Sequence, residues 1–488
     1  MKKTIAIIGS GFSALAASCY LAQQGNKVTI YEKNESIGGR ARQFKKEGFT
    51  FDMGPSWYWM PDVFERFFND FNKQTTDYYE LIKLNPAYRV YFGVDDFISI
   101  YDNLEEIKTT FESIEKGSGH ELETFIKQAK SNYDIAIKDL VYRPGVSPLE
   151  LITVETTLKL NQFFSTVSND IHKKFKNQRL IQILEFPVLF LGAKPTKTPS
   201  FYNFMNYADF GLGTWHPKTG MFDVVRGIEK LALELGVTIE TNAAIEKIIV
   251  ENKTATGIVI NRKSVKADII LSGADYHHTE TLLDIEHRAY SEKYWESRVF
   301  APSSLLFFVG FDKKIENISH HALFFDVDFN QHAADIYDEP KWPDAPLFYA
   351  NFPSKTDQTA APEGMESGFF LIPLAPGIHD SEALREEYFE KIITRFEELT
   401  QQKIKNNIIF KRSFCKNDFV TDYNAYKGNA YGMANTLLQT AFLRPKLKSK
   451  KVRNLYFTGQ LTVPGPGVPP ALISGKLVAE LIQKSFRS

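Results

Sequence analysis

Thr4-Ile5-Ala6-Ile7-Ile8-Gly9-Ser10-Gly11-Phe12-Ser13-Ala14 decides the fold. The β-branched run Thr4–Ile8 reads as a buried parallel strand. A glycine-rich turn follows at once, and Ser13–Gln24 has helical composition closed by Gly25. Lys27–Tyr31 is a second strand, and Glu32 ends it, 21 residues after Gly11. Gly9 permits the tight turn, and Gly11 lets the backbone approach a pyrophosphate. Ala14 is small enough for close helix–strand packing. The helix N-terminus at Phe12 and Ser13 offers free N–H groups to phosphates. Glu32 can accept both ribose hydroxyls, with Lys33 beside it, and its charge disfavours a 2′-phosphate. Strand, turn, helix, strand and acid at this spacing predict a dinucleotide-binding βαβ unit.

The rest of the composition is that of an ordinary globular protein. A length of 488 residues predicts two or three domains. Lys+Arg (58) and Asp+Glu (59) nearly cancel, so no electrostatic argument favours nucleic acid as a partner. Cys19 and Cys415 form no metal-ligand pattern and read as two free thiols in a reducing compartment, so no metal is expected. No secretory signal is visible. The uncharged run Asn454–Gly475 is interrupted by Pro464, Pro466, Pro469 and Pro470, which argues against a membrane span. Aromatic residues reach 14%, enough for a core and for a greasy pocket.

Beyond Glu32 the chain continues Ser36-Ile37-Gly38-Gly39-Arg40-Ala41. This resembles the extended fingerprint of FAD enzymes in the glutathione-reductase-like, amine-oxidase-like clan, and it narrows the expected dinucleotide to FAD. The glycines, Gly39 among them, let the loop pass close to the cofactor, and Arg40 offers donors to the pyrophosphate. Two later stretches read as returns of the chain to the nucleotide. One is Pro217–Asp275, with a helix over Phe222–Leu235, a hairpin over Ala243–Ile260 and a strand over Ala267–Leu271. The other is the strand Asn454–Gly459, a Gly/Pro-rich loop over Gln460–Pro470 and a helix over Ala471–Lys484. The clan resemblance implies that Ile245 meets the adenine through its backbone.

From end to end the sequence resembles the bacterial and fungal-type phytoene desaturases, FAD-dependent carotenoid desaturases. The motifs are the N-terminal fingerprint, Phe51–Ser56, Pro217–Met221, Ser272–Asp275, His320-His321, Pro353–Asp357, Ala361–Gly364, Gly428–Gly432, Phe442–Pro445 and Pro464–Pro469. Departures are Thr219 before Gly220, Gln460 where a small residue is frequent, and Pro470 where glycine is frequent. The resemblance implies an α/β fold: a discontinuous Rossmann-like FAD-binding domain, a mixed α+β substrate domain and a helical region. The FAD domain is expected from 1–80, 215–285 and 435–488, and the substrate domain from 81–214, largely helical, and 286–434. Gly54, Pro55 and Ser56 are expected beside the flavin, with Gly459, Gln460, Gly467, Val468 and Pro469 on its other side.

The implied chemistry is hydride transfer from an allylic carbon to the flavin, then proton loss from the neighbouring carbon. The cofactor carries the redox step, so the protein has to bind, align and exclude water. No strong base is needed and no catalytic residue is assigned. Trp57, Trp59, Phe186 and Phe190 are the candidate substrate contacts. Leu180–Gly192, flanked by Lys173, Lys174, Lys176 and Lys194, reads as a tunnel wall, a membrane-dipping element or a core helix. His320 and His321 could serve acid–base roles, though a satisfied structural pair is the favoured reading, and Arg444 reads as a cofactor partner or a helix terminus. A carotenoid in or from the membrane implies a cytoplasmic protein attached peripherally, with oxygen or a quinone as electron acceptor. Nothing in the sequence specifies an oligomeric state. Phytoene, a cyclised or hydroxylated carotenoid oxidised at a 3,4-type position, and cis-trans isomerisation with reduced flavin stay open. A flavin amine oxidase fits less well, because Thr458–Gly475 has no aromatic residue and no cysteine. A carotenoid carrier with a vestigial flavin is the non-enzymatic reading.

Overall fold

The computed structural model describes residues 2–486. β1 (Thr4–Ile8) is the middle strand of a five-stranded, all-parallel sheet. On one side of it lies β2 (Lys27–Tyr31), then Thr238–Glu240. On the other lies Ile269–Ser272, then Leu455–Phe457. Four of the five residues of β1 are buried, as expected for a strand covered on both faces. α1 (Phe12–Gln23) begins one residue after Gly11 and is buried from Phe12 to Leu21. The C-terminal helix Val468–Lys484 packs across its start, where a Cβ on Gly475 would come within 2.6 Å of the Ser13 carbonyl oxygen. This helix starts three residues earlier than the sequence suggests. Pro469 and Pro470 fall in its first turn, where their missing N–H groups have no helical partner to lose. The segment after Thr238–Glu240 forms the expected hairpin, Ile245–Glu251 against Thr254–Ile260, and adds a third strand, Lys263–Lys266.

A seven-stranded sheet makes the second layer. Its order is Ile408–Phe414, Ser303–Phe311, Glu366–Leu374, Phe348–Asn351, His321–Phe324, Tyr88–Gly93 and Asp96–Ile100. All neighbours are antiparallel except His321–Phe324 with Tyr88–Gly93. The stretch 81–214, expected to be largely helical, therefore donates a hairpin to this sheet before its helices begin. Tyr88, Val90, Ile98 and Ile100 are buried at alternating positions, and that period-2 pattern selects strand. Helices Leu104–Ile114 and Ser118–Lys138 and a run of short helical turns to Gly211 follow. One large apolar core links α1, the C-terminal helix, this helical region and one face of the seven-stranded sheet.

Candidate functional site

A single cavity of about 1040 Å³ opens at the carboxyl ends of β1 and β2 and extends into the helical region. That volume is at the upper end for a ligand site. Its polar end is built by the βαβ unit. Gly9 turns the chain with φ +85°, a conformation a side chain disfavours. Gly11 sits at the α1 N-terminus in extended geometry, φ −69° and ψ 171°, and no side chain caps that helix. A Cβ built on Gly11 would meet nothing within 4 Å. The free N–H groups of the first turn thus face open space. Glu32 is buried, with Oε2 accepting from the Ser10 N–H (3.0 Å) and hydroxyl (2.7 Å) and Oε1 accepting from the Asn34 N–H (2.9 Å). These bonds fix the carboxylate at the strand end.

Arg40 reaches the same space. One of its Nη groups donates to the Asn429 carbonyl (3.2 Å), and its guanidinium lies over the Tyr423 ring at 5.4 Å. Its Nε is buried without a partner, and burial lowers its pKa, partly offset by Asp275. A cation with an open donor beside an uncapped helix N-terminus suits an anion. With the fixed acid at Glu32, these residues fit FAD.

The structure gathers most of the expected positions on this cavity: Gly9, Gly11, Phe12, Ser13, Glu32, Lys33, Gly39, Arg40, Gly54, Pro55, Ser56, Ile245, Gln460, Gly467, Val468 and Pro469. Two do not reach it. Ala14 faces the inter-element packing, where a Cβ on Gly273 would come within 2.7 Å of its own. Gly459 is turned inward, its N–H donating to Ser474 Oγ at 3.0 Å. Lys33 lines the wall but commits its Nζ to the Thr421 carbonyl at 2.5 Å. Arg444 ends the short helical turn Ala441–Leu443, its N–H donating to the Ala441 carbonyl at 3.1 Å, while its side chain serves the loops around it. It is 2% exposed, and its donors hold the Thr462, Gln439, Met433 and Gln460 carbonyls and Asn435 Oδ1 at 2.7–3.1 Å. Burial among neutral acceptors lowers its pKa to about 10. It ties together the loops that carry Gln460 and Asn435 on the cavity wall.

The apolar end is aromatic. Trp57, Trp59, Phe186 and Phe190 all line it and contact one another, with ring centroids 4.8–6.4 Å apart. Leu180–Leu184 are buried and Phe186, Leu189, Phe190 and Leu191 face the cavity, so the Leu180–Gly192 segment is core and cavity wall and does not dip outward. The exposed apolar surface lies elsewhere. Val146, Leu149, Ile152, Val154, Leu158 and Phe164 are 64–81% exposed, on or next to the short helical turns Pro148–Leu151, Val154–Leu158 and Asn161–Phe164. The same segment supplies Gly145, Ser147, Glu150, Thr156 and Phe163 to the cavity wall. Its signal in the sequence was a succession of apolar residues without a helical period, because each turn is too short to bury a face.

Beneath Trp57, Tyr88 packs at 5.3 Å and donates its hydroxyl to Asp209 Oδ2 at 2.7 Å. Asp209 is 2% exposed, and burial raises its carboxyl to about 7. A raised folded-state value stabilises the protein fully below the unfolded carboxylate value of ~3.9 and loses that contribution as pH rises through about 7. Asp209→Asn keeps an acceptor for Tyr88 and removes the titration. It is expected to gain stability over the wild type between pH 5 and 8, by up to about 4 kcal/mol by linkage. Urea denaturation at pH 5 and pH 8 measures this, and a pH-independent difference would refute it.

Residues 12–483 match the family described as flavin containing amine oxidoreductase. The carotenoid 3,4-desaturase of Haloarcula japonica is 39% identical over 482 residues, spanning 98% of this chain and 97% of that one. The 4,4′-diapophytoene desaturase (4,4′-diaponeurosporene-forming) of Staphylococcus aureus is 34% identical over 499 residues, spanning 99% of each chain. An oxidoreductase from Methanosarcina mazei shares the fold, with a TM-score of 0.65 at 17% identity over 98% of this chain and 100% of that one. The chain belongs to the flavin containing amine oxidoreductase family and, within it, to the carotenoid desaturases. It is an FAD-dependent oxidoreductase.

Proposed function

We propose that this enzyme introduces a carbon–carbon double bond into a carotenoid taken directly from a lipid bilayer. One observation carries the reading: a single cavity joins the dinucleotide fingerprint to an aromatic channel whose wall continues into the exposed apolar segment 146–164. When bound, FAD supplies the hydride acceptor. In this reading the α1 N-terminus, Gly11 and Arg40 hold the pyrophosphate, and Glu32 holds the adenosine ribose. Ile245 lies at the adenine, while the Gly54–Ser56 and Gln460–Pro469 loops flank the flavin. Trp57, Trp59, Phe186 and Phe190 align the polyene and exclude water. Similarity to the Haloarcula 3,4-desaturase, above that to the diapophytoene desaturase, favours a bond near the end of an already conjugated chain. Anaerobic addition of carotenoids in liposomes to the flavoprotein tests this. Bleaching of the flavin with a product two mass units lighter is expected. Unchanged mass with altered geometry would mean isomerisation, and no change with any carotenoid would leave only a carrier.

No described helix is long and apolar enough to cross a membrane, so contact with lipid is assigned to the surface of 146–164. Leu158 and Phe164, 79% and 81% exposed, would bury their side chains in the bilayer. Burial of such residues contributes about 1.5–3 kcal/mol each. Leu158→Asp with Phe164→Asp is therefore expected to weaken cosedimentation with phospholipid vesicles at least about 100-fold, while leaving flavin content unchanged. Unchanged cosedimentation would move the docking surface elsewhere.

A further inference from the structure

Proton loss from the polyene poses a problem in so apolar a cavity, and one wall of it carries a polar exit. Tyr349 lines the cavity and joins two partners: Ser56 Oγ at 2.9 Å and His321 Nδ1 at 2.6 Å. Trp57 lies flat on the His321 ring, with centroids 4.1 Å apart and planes 10° apart, which fixes the imidazole. With Tyr349 donating to Nδ1, the His321 proton sits on Nε2, a buried atom with no hydrogen-bond partner. The rings continue from there: His321 to His320 at 4.5 Å, and His320 to His216 at 4.4 Å. His320 Nε2 and both nitrogens of His216 are likewise buried and unpartnered. His216 borders a second cavity of about 20 Å³, whose polar lining includes Asp52, Thr219, Asp357 and Ser367. That is room for one water. Buried polar atoms without partners are costly, so four on three adjacent rings ask for an explanation. By contrast His332, also on the wall of the main cavity, commits both nitrogens, to the Pro373 carbonyl and the Leu347 N–H.

We propose that Tyr349 takes the proton lost by the substrate and relays its own to His321. The inference rests on the desaturase reading and deepens it. The hydride leaves with its electron pair for the flavin. At the adjacent carbon a C–H bond breaks, and its electron pair becomes the new π bond. The proton arrives on Tyr349 Oη as the tyrosine's own proton passes to His321 Nδ1. The charge of the substrate cation thereby passes to the His321 imidazole, and the C–H electron pair stays in the product. Burial keeps all three histidines neutral at rest, with His216 lowered to about 4 and His320 and His321 held well below the usual imidazole range. Neutral imidazoles can accept a proton, and a delocalised carbocation is acidic enough to give one. Tyr349 is the catalytic residue here, and the histidines act through it.

The test uses the flavoprotein with a carotenoid deuterated at the carbon that loses the proton, in anaerobic single turnover. The wild type should show no isotope effect from that position, because proton loss is fast. Tyr349→Phe should bind flavin normally, turn over about 100-fold more slowly and acquire a primary isotope effect at that carbon. His321→Gln should do the same with the tyrosine hydroxyl in place. Turnover within threefold of wild type without an isotope effect in both variants would overturn the relay, as would loss of flavin from both, which marks a structural role. An independent readout is ¹⁵N NMR of the histidine-labelled resting protein. It should show His321 neutral with its proton on Nε2, and a proton on Nδ1 would exclude the donation from Tyr349. A wild type that oxidises no carotenoid would sink the desaturase reading itself, an outcome distinct from active wild type with unaffected variants.

Discussion

Gly11→Ala is expected to leave the protein folded and to abolish its retention of FAD. The backbone at Gly11, φ −69° and ψ 171°, is one that alanine adopts without strain. The added Cβ meets no protein atom within 4 Å, so nothing in the fold resists it. It projects instead into the space in front of the first turn of α1, where the pyrophosphate is proposed to lie. A methyl group there forces the phosphates off the N–H groups. Loss of one or two charge-assisted hydrogen bonds costs about 3 kcal/mol, roughly a 100-fold weaker Kd. Circular dichroism and the urea midpoint of the apoprotein should match wild type, while titration with FAD shows the loss. Gly9→Ala is the contrast. At φ +85°, with the Ala274 nitrogen 3.3 Å from the built Cβ, it should lower stability as well as flavin content. FAD binding by Gly11→Ala at wild-type strength would remove the pyrophosphate from this position.

Arg444 carries the second large effect. Five acceptors on three loops converge on its guanidinium, and among the described residues it makes no ion pair. Arg444→Met fills the volume but strands those acceptors away from water. The cost of breaking such a buried charged network is about 3–5 kcal/mol. Arg444→Lys should recover only part, since an ammonium cannot span acceptors arranged for a planar fork. Because Gln460 and Asn435 are held through Arg444, flavin affinity should fall together with stability. Urea unfolding with absorbance of the bound flavin reads both. A loss below 1 kcal/mol for Arg444→Met would show that the loops are held by other contacts.

The sequence disclosed what is local. The βαβ unit from Thr4 to Glu32 places strand, turn, helix and acid within one short stretch, so spacing alone predicts their geometry. The strand and loop after Asn454 were legible for the same reason, and the aromatic quartet Trp57, Trp59, Phe186 and Phe190 came from composition and a resemblance. What stayed hidden depends on distant segments meeting. Residues 89–91 pair with 322–324 across more than two hundred positions, and a two-residue alternation there is easily lost among the helices that follow. The histidine cluster draws on residues 216, 320 and 321, and its link to the cavity, Tyr349, stands in an ordinary strand pattern. Arg444 was visible, but its five partners were not. The exposed segment 146–164 was missed because its apolar residues follow no single period.

The middle strand of the nucleotide sheet comes from the first ten residues, yet its neighbour but one, Leu455–Phe457, and the helix that closes over α1 come from residues 455–484. The consequence is one of timing during biosynthesis. At about 5–20 residues per second, a ribosome needs tens of seconds to travel between the two. Throughout that interval Ile269–Ser272, once docked, presents a bare strand edge, and α1 an uncovered apolar flank. The nascent chain must be shielded until residues 455–484 emerge, and flavin capture waits for them.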